Sequence, residues 1–376
     1  MDDYLQHQKS AIILMKTGGL LSMIASFFIM RDVFIRSIKN ERIKLTHKIV
    51  FEMSLANFWG TFFTPFLSTW MVPKDSGAYQ AAGNTASCTA QGFFDSFFCG
   101  TSVFMNAVLA LTYCIIVKRG KKDEAKSTRN LWIVLGLPPI ICFLLAIKPF
   151  FDRAYNYNNF LACDIAEYPL GCLSENSDYE CTRGSNAREL KIARFACVWL
   201  ANFIIVVSVA VLIQHVVSTE RRMNANSTES SNDLSIKTTW QGIFYVAAFM
   251  FSWVPWYIWQ WIQITSGTRI SSLASPALVY IISITHPLQG VGNALVYFRP
   301  RYKKFRERDH EELRLASVLR TLDITVPPIL SLEWWRSLIV HSRGFNFTFD
   351  KQITINEDSH DATKTIIHER QHQTTA

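Results

Sequence analysis

Long runs without a charged residue recur along this chain and constrain its fold more than any other feature. One of them extends from Thr238 to Thr268 and contains the segment Phe249–Pro255, in which aromatic side chains accompany a single proline. A run of this length is sufficient to cross a bilayer as a tilted helix. Because proline removes one backbone donor and crowds the preceding turn, we expect this helix to bend at Pro255 within a packed bundle.

Seven segments have the length and hydropathy expected of membrane-spanning helices. They are predicted at 11–35, 47–72, 88–117, 130–147, 195–217, 238–264 and 272–298. The predicted fold class is therefore an all-α membrane protein, a bundle of seven transmembrane helices. The net charge of +8 does not indicate nucleic-acid binding, because the basic residues form short clusters at the ends of apolar runs.

The basic clusters predict the orientation of the bundle. They lie between spans one and two, three and four, and five and six, and again directly after span seven. The positive-inside rule places these segments in the cytoplasm, the short N-terminal segment 1–10 outside and the C-terminus inside. Residues 299–322 have the pattern of a short amphipathic eighth helix on the membrane surface. The tail 323–376 is predicted to be cytoplasmic and mostly disordered.

Four cysteines lie on the outward side of the predicted bundle. Cys88 opens span three, and Cys163, Cys172 and Cys181 fall in the long acidic loop 148–194. In an oxidising compartment they predict two disulfides, for which the sequence allows three pairings. We favour a bridge from Cys88 to the loop, with the two remaining cysteines closing a local ring. No cluster has the spacing of a metal site, and no cofactor is expected.

Polar residues inside the spans mark candidate sites, because lipid offers them no hydrogen-bond partners. Asp95 lies about two turns below Cys88 in span three, and His286 of span seven lies at a compatible depth. We expect these two side chains either to line an outer cavity or to form a structural pair. Three aromatic residues of span six are expected in the same cavity: Trp253, Trp256 and Trp259.

The sequence contains none of the common enzyme motifs. A Gly-rich phosphate loop, a His-Glu-x-x-His pattern and a nucleophile elbow are all absent, so no catalytic residue is expected. Intramembrane acids also occur in transporters, although the paired repeats of many transporters are not visible here. A seven-span transporter or channel that uses Asp95 and His286 is therefore the alternative hypothesis, and an orphan scaffold that signals through its tail is a further one.

Short motifs in the predicted spans resemble those of G-protein-coupled receptors. Rhodopsin-like receptors carry Phe-x-x-Cys-Trp-x-Pro in span six, where this chain has Phe249-Met-Phe-Ser-Trp253-Val-Pro255. Their span seven ends in Asn-Pro-x-x-Tyr, which Asn293-Ala-Leu-Val-Tyr297 matches without the proline.

Three further positions extend the resemblance over roughly residues 11–315. Asn57 follows Ser-Leu-Ala in span two, where the family has Asp, and Trp132 matches the Trp of span four. Cys88 matches the cysteine that bridges to the second outer loop. Counting on from it, Asp95 falls where amine receptors hold their cationic ligand.

The chain also departs from the rhodopsin-like pattern. Tyr113 occupies the position of the Arg that locks the inactive state and meets the G protein, and Ser235 stands where its acidic partner would be. With Asn57 in place of Asp, no allosteric sodium is expected. The ending Gln289-Gly-x-Gly-Asn293 looks more like the cyclic-AMP-receptor-like receptors, which bear an affinity to secretin-type receptors, and we place the chain there as a divergent member.

The resemblance implies a plasma-membrane receptor that binds an extracellular small molecule or peptide and signals to a heterotrimeric G protein. Asp95 favours a cationic ligand, whereas the cyclic-AMP-receptor label favours a nucleotide-like anion. Since the acidic outer loop repels anions, we lean towards a cationic or neutral ligand. Seven residues are expected to form the conformational switch: Phe249, Trp253, Pro255, Asn57, Asn293, Tyr297 and Tyr113.

Overall fold

The structure of the protein is a computed structural model. It describes residues 2–39, 44–119, 131–158, 161–173, 177, 179–225, 232–266, 276–308, 318 and 321–322. Its helices are α1 (Asp2–Ile38), α2 (Leu45–Thr61), α3 (Thr85–Arg119), α4 (Leu131–Phe151), α5 (Ala187–Ala225), α6 (Asn232–Ser266), α7 (Pro276–Thr285) and α8 (Gln289–Arg308). Between α4 and α5, the strands β1 (Tyr155–Tyr157) and β2 (Cys163–Ile165) pair antiparallel.

Helix α3 lies at the centre of the bundle and packs against α2, α4, α5 and α6. Helix α1 packs against α2, α7 and α8, so the first and last helices are neighbours. We call the end that carries Cys88 and Cys163 the disulfide end. The opposite end, where Arg36, Lys44 and Arg301 lie, is the basic end.

Five of the described helices are long and apolar enough to cross a membrane. They are Gln6–Ile38, Thr85–Val117, Ile133–Phe151, Ala187–Thr219 and Thr239–Ile262. The segments predicted as spans two and seven are each divided within the described residues, so that neither contains one regular α-helix of full length. In both segments a proline lies at the point of division.

Span two changes helix type around Pro65. Helix α2 ends at Thr61, and Phe62–Phe66 continues it as a π-helical turn. A 3-10 turn over Ser68–Met71 completes the segment. Because Pro65 has no backbone N–H, the regular α-helical bond to the preceding turn is lost and a wider turn replaces it. The prediction of one span over 47–72 did not foresee this change of helix type.

The seventh span is divided in the same way around Pro287. Helix α7 ends at Thr285, residues His286–Leu288 form a 3-10 turn, and α8 begins at Gln289. Proline is compatible with the first positions of a new helical segment, where a backbone N–H has no helical partner in any case. The predicted span 272–298 therefore contains two helices, and His286 lies at the junction between them.

The segments that flank the predicted bundle are described only in part. Most of segment 1–10 belongs to α1 and is anchored by polar contacts, such as the 2.8 Å hydrogen bond between His7 and the Tyr280 hydroxyl. Residues 299–308 continue α8 without starting a separate helix. Most of the remaining predicted eighth helix, and the whole tail 323–376, lie outside the described residues.

The long loop between α4 and α5 is fixed by the two predicted disulfides. Cys88 of α3 pairs with Cys163 of β2, and Cys172 pairs with Cys181 within the loop. Gln91, one turn after Cys88, accepts a hydrogen bond from the Cys163 backbone N–H at 2.8 Å and donates to two carbonyls of span two. The disulfide and the buried amide together hold β2 against the centre of the bundle.

Candidate functional site

A cavity of about 70 Å³ lies at the disulfide end, between α3, α5, α6, the seventh span and β2. We call it the outer cavity, as in the predicted orientation. Its walls include all five residues that the sequence suggested for ligand binding: Asp95, Trp253, Trp256, Trp259 and His286. They also include three polar residues that the sequence did not suggest: Arg194, Asp164 and Gln260.

Asp95 is held in the wall of the outer cavity by two neighbouring side chains. Thr64, in the π-helical turn of span two, donates to Asp95 Oδ1 at 2.6 Å. The Cys99 thiol, one turn further along α3, lies 3.3 Å from the same oxygen. An ionised carboxylate has room for about four hydrogen bonds, so Asp95 can accept further donors from a ligand.

Arg194, at the start of α5, forms a bidentate ion pair with Asp164 of β2, with N···O distances of 2.6 and 2.8 Å. It also donates to Ser96 at 3.0 Å. The two charged side chains are only 14% and 13% exposed. Burial by itself raises the pKa of the Asp164 carboxyl, but the Arg194 guanidinium and the Ile165 backbone N–H outweigh that effect and hold this pKa below its ordinary value.

In the sequence, Arg194 stands out only as the last residue of loop 148–194. One signal was available: a basic residue directly precedes the uncharged run of span five, on the side where few cations are expected. The charges of Arg194 and Asp164 both act on Asp95. These three groups carry one net negative charge when all are ionised, so the outer cavity favours a cation over an anion.

Aromatic rings form another part of the wall. The His286 ring stands edge-on to Trp253, with ring centroids 4.8 Å apart, and lies nearly parallel to Trp256 at 6.1 Å. Trp259 is 6% exposed and packs against Ile282. Asp95 and His286 both lie in the wall of this cavity, and His286 packs against indole rings. Such rings attract cations through their electron-rich faces.

A buried chain of hydrogen bonds leads from the outer cavity into the bundle. The Trp253 indole N–H donates to Gln289 Oε1 at 2.9 Å, and the Gln289 amide donates to Ser102 Oγ at 3.0 Å. All three side chains are at most 3% exposed. The chain of hydrogen bonds joins α6, α8 and α3. A shift of the Trp253 ring must therefore disturb contacts among three helices.

Phe249 and Pro255 lie on α6 on either side of Trp253. Helix α6 is continuous from Asn232 to Ser266 and includes Pro255. Phe249 is fully buried, and its ring stacks on Trp253 with centroids 5.9 Å apart. The Trp253 ring is thus packed between a buried phenyl ring on one side and the wall of the outer cavity on the other.

Asn57 and Asn293 lie in the middle of the bundle, in different surroundings. Asn57 donates to Ser22 at 3.3 Å and to Ser26 at 2.9 Å, which ties α2 to α1. Asn293 is 1% exposed, and neither its amide nitrogen nor its amide oxygen has a hydrogen-bond partner among the described residues. Leaving such buried groups unpaired costs about 1–3 kcal/mol each. Any rearrangement that gives the Asn293 amide a hydrogen-bond partner is therefore stabilised by that bond.

Tyr113 and Tyr297, the remaining predicted switch residues, lie at the basic end. Tyr113 is 4% exposed, and its ring lies nearly parallel to that of Tyr245 at 6.4 Å. The Tyr297 hydroxyl donates to Asp32 of α1 at 2.8 Å. The predicted switch residues thus occupy three levels of the bundle, from the outer cavity to the basic end.

A seven-segment helical bundle, with a largely apolar cavity that holds a few charged side chains beneath a disulfide-anchored loop, is the architecture of a class of membrane receptor. Residues 33–297 match the family described as 7 transmembrane receptor (rhodopsin family). Since the match covers most of the chain, the protein belongs to the rhodopsin family of seven-transmembrane receptors and is a multi-pass membrane protein. No curated protein matches the sequence.

Proposed function

We propose that this protein is a plasma-membrane receptor that binds a ligand in the outer cavity and activates a heterotrimeric G protein at the basic end. The position of Trp253 carries the proposal. Its indole ring lines the cavity, and its N–H bonds to Gln289, which in turn bonds to Ser102. A ligand that displaces this ring changes the contacts between helices, and its differential affinity for the two arrangements sets the size of the response.

The proposed orientation places the disulfide end outside the cell. The positive-inside rule assigns the basic end to the cytoplasm, and disulfides form in the oxidising extracellular environment. Ligands then reach the cavity from outside, and the basic surface meets the G protein and the headgroups of membrane lipids. The N-terminus is extracellular and the C-terminus cytoplasmic in this arrangement.

The proposed ligand is a cationic or neutral small molecule, or the cationic end of a peptide. Asp95 can accept hydrogen bonds from an ammonium group, and the rings of Trp253, Trp256 and His286 offer apolar contact. The net negative charge of the cavity disfavours an anionic nucleotide. The resemblance of the Gln289 motif to cyclic-AMP-receptor-like receptors stays a prediction about the family of the chain. It is not an argument for a cyclic-nucleotide ligand.

The proposed switch works without the Arg that Tyr113 replaces. Asn293, whose two amide atoms have no partner in the described part of the chain, gains hydrogen bonds when α6 and α8 move relative to each other. At the basic end, Tyr297 exchanges its bond to Asp32 for contacts in the opened cavity. Pro255 allows α6 to bend during this movement.

A reconstitution experiment tests ligand binding and coupling together. Purified receptor in lipid nanodiscs is combined with G-protein heterotrimers, and nucleotide exchange is measured with a panel of aliphatic amines, aromatic amines and anionic nucleotides. We expect exchange to rise with one or more amines and the Asp95→Asn variant to need at least 10-fold more amine. Asp75→Asn, which changes an exposed carboxylate at the same end, is the matched control.

Two outcomes contradict the proposal. The first is an amine response that Asp95→Asn leaves unchanged, and the second is an exchange rate that no member of the panel alters with any α subunit. Transport through the bundle is measured separately as amine or proton flux into liposomes. Flux that disappears in Asp95→Asn, in the absence of G-protein activation, supports the transporter hypothesis in place of the receptor.

A further inference from the structure

A second cavity, of about 270 Å³, lies at the basic end of the bundle. We call it the basic-end cavity. Its walls come from the ends of α1, α2, α3, α6 and α8. The residues that matter for its chemistry are Arg36, Lys44, His47, Tyr245, Tyr297 and Arg301. This cavity is larger than the outer cavity and has a different character, because basic side chains surround a set of buried hydroxyl and imidazole groups.

Positive charge is in excess around the basic-end cavity. Among the described residues, Arg36 and Arg301 share one carboxylate, that of Asp32, at 2.9 and 2.8 Å. Lys44 adds a third cation from an exposed position at the start of α2. The charges of all four groups act on the ring of His47, so they converge on one region of the cavity. Their sum is +2, and an anion that enters the cavity is attracted by this excess.

Two buried polar atoms in the wall of the cavity have no hydrogen-bond partner among the described residues. They are the hydroxyl of Tyr245, a residue that is 2% exposed, and Nδ1 of His47. Gln241, one turn before Tyr245, lies near the hydroxyl but does not reach ordinary hydrogen-bond geometry. Buried polar atoms of native proteins are nearly always paired, so two orphans in one cavity indicate a polar group that the cavity receives.

The first turn of α2 contributes to the same wall. Lys44 is the N-cap residue of this helix, its side chain forms no capping hydrogen bond, and the first turn contains no acidic residue. Thr46 and His47 of that turn line the cavity. The positive end of the helix dipole therefore adds to the charge of the basic side chains and has no acidic side chain of its own turn to offset it.

We propose that the basic-end cavity binds a phosphate monoester group. At neutral pH such a group carries between one and two negative charges and offers three strong acceptor oxygens, which match the charge excess and the O–H of Tyr245. Lys44 and Arg301 flank the phosphate, and the Tyr245 hydroxyl donates to it from below. The phosphate can belong to a phosphorylated inositol headgroup of a membrane lipid or to the same headgroup free in solution. The proposal does not depend on ligand binding in the outer cavity.

The experiment uses full-length receptor in nanodiscs of phosphatidylcholine. One arm titrates soluble inositol trisphosphate, and the other places phosphatidylinositol bisphosphate in the nanodisc at increasing mole fraction, with phosphatidylserine at equal charge for comparison. Binding is measured as thermal stabilisation and as a dissociation constant. We expect Lys44→Ala to weaken binding of the phosphate probe by about 10-fold, as loss of one charge-assisted contact predicts. Tyr245→Phe, which removes only the hydroxyl, is expected to weaken binding by about 3-fold, half as strongly in free energy, because a hydrogen bond from a neutral group contributes less.

Lys74→Ala is the matched control, since Lys74 is an exposed lysine at the disulfide end and its loss is expected to leave binding unchanged. Binding of either probe that depends on Lys44 and Tyr245 supports the proposal, and the arm in which it occurs identifies the lipid or the soluble source. Three results overturn it: neither probe binds, phosphatidylserine stabilises the receptor equally, or an acidic peptide with a free C-terminal carboxylate occupies the Lys44-dependent site while both phosphate probes fail to compete with it.

Discussion

The hydroxyl of Tyr297 donates a 2.8 Å hydrogen bond to the carboxylate of Asp32, and this contact joins the last helix of the bundle to the first. The same carboxylate receives Arg36 at 2.9 Å and Arg301 at 2.8 Å. Arg301 also donates to the backbone carbonyl of Thr321 at 3.0 Å. Asp32 thus organises the basic end, where the sequence lacks the Arg that this receptor family ordinarily uses.

The Asp32 contacts are expected to hold the receptor in its inactive arrangement. Tyr297→Phe removes one hydrogen bond to a charged group, which lowers the stability of the present state by about 1–2 kcal/mol. We expect a lower melting temperature in detergent and a higher nucleotide exchange rate without ligand. Tyr302→Phe, about one and a half turns further along α8 and not in contact with Asp32 among the described residues, is the control. Unchanged basal exchange in Tyr297→Phe, together with a lowered melting temperature, would assign Asp32 a purely structural role.

Gln289 is expected to be essential for transmitting ligand binding. Gln289→Leu keeps a similar volume but leaves the buried Trp253 N–H and Ser102 hydroxyl without their partner, at about 1–3 kcal/mol for each unpaired group. The variant should bind ligand with a modest loss of affinity and show a reduced maximal response in the exchange assay. Gln214→Leu, which changes an exposed glutamine on α5, controls for the substitution itself. A full maximal response in Gln289→Leu would exclude the hydrogen-bond chain as the route of the signal.

The Arg194–Asp164 ion pair predicts how stability depends on pH. The pKa of Asp164 is lowered in the folded protein, so the pair contributes its full stability above the ordinary carboxyl pKa of about 4 and loses it as the pH falls further. Carboxyl groups titrate between about pH 5 and pH 3. In this range the melting temperature of the wild type should therefore fall more steeply than that of Asp164→Asn. If the melting temperatures of the two proteins fall in parallel, the pKa of Asp164 is the same in the folded and the unfolded protein.

The same pair predicts an asymmetric effect of mutation. Arg194→Met removes the cation and leaves the shielded carboxylate of Asp164 without its ionic partner. Such a change lowers the stability of the fold by about 3 kcal/mol for a buried pair, and by less here because both groups keep some solvent contact. The double variant Arg194→Met/Asp164→Leu should recover most of that loss in a thermal denaturation experiment. No recovery in the double variant would indicate that Arg194 stabilises the fold through Ser96 and packing.

The two disulfides are expected to differ in importance. Cys88–Cys163 spans a sequence separation of 75 residues and Cys172–Cys181 one of 9. The chain-entropy estimate gives the longer ring about 2 kcal/mol more stabilisation. Paired Cys→Ala variants should show the larger loss of melting temperature for the first bridge, and only that variant should lose ligand response, because it releases β2 and Asp164 from the outer cavity. Equal losses in both measurements would contradict this expectation.

Parts of this structure followed from local patterns, and parts did not. The uncharged run around Trp253 predicted a span over 238–264, and a helix covers it from Asn232 to Ser266. The divisions of spans two and seven were harder, although Pro65 and Pro287 were visible, because a proline in an apolar run can kink, widen or end a helix. Which of these occurs depends on the neighbours that satisfy the freed carbonyl.

Only some of the polar residues in the outer cavity could be predicted from the sequence. Asp95 and His286 were identifiable because a charged or ionisable group at membrane depth is costly and must face the interior. Arg194 was not identifiable in this way, because its role depends on the 2.6 Å contact with Asp164, a residue 30 positions earlier. Sequence patterns show that a polar group needs a partner, and they seldom show which partner it finds.

The sequence by itself determined that this chain forms a bundle of apolar helices, and it predicted where the basic clusters and the disulfide-bonded loop lie, since these features follow from burial and charge along consecutive residues. It also predicted that Asp95 and Trp253 line one cavity. Only the tertiary structure decided that Tyr297 bonds to Asp32, 265 positions away, and that two polar atoms in the wall of the basic-end cavity have no partner among the described residues. Such contacts join helices that are distant in sequence, and the packing of the whole bundle selects them.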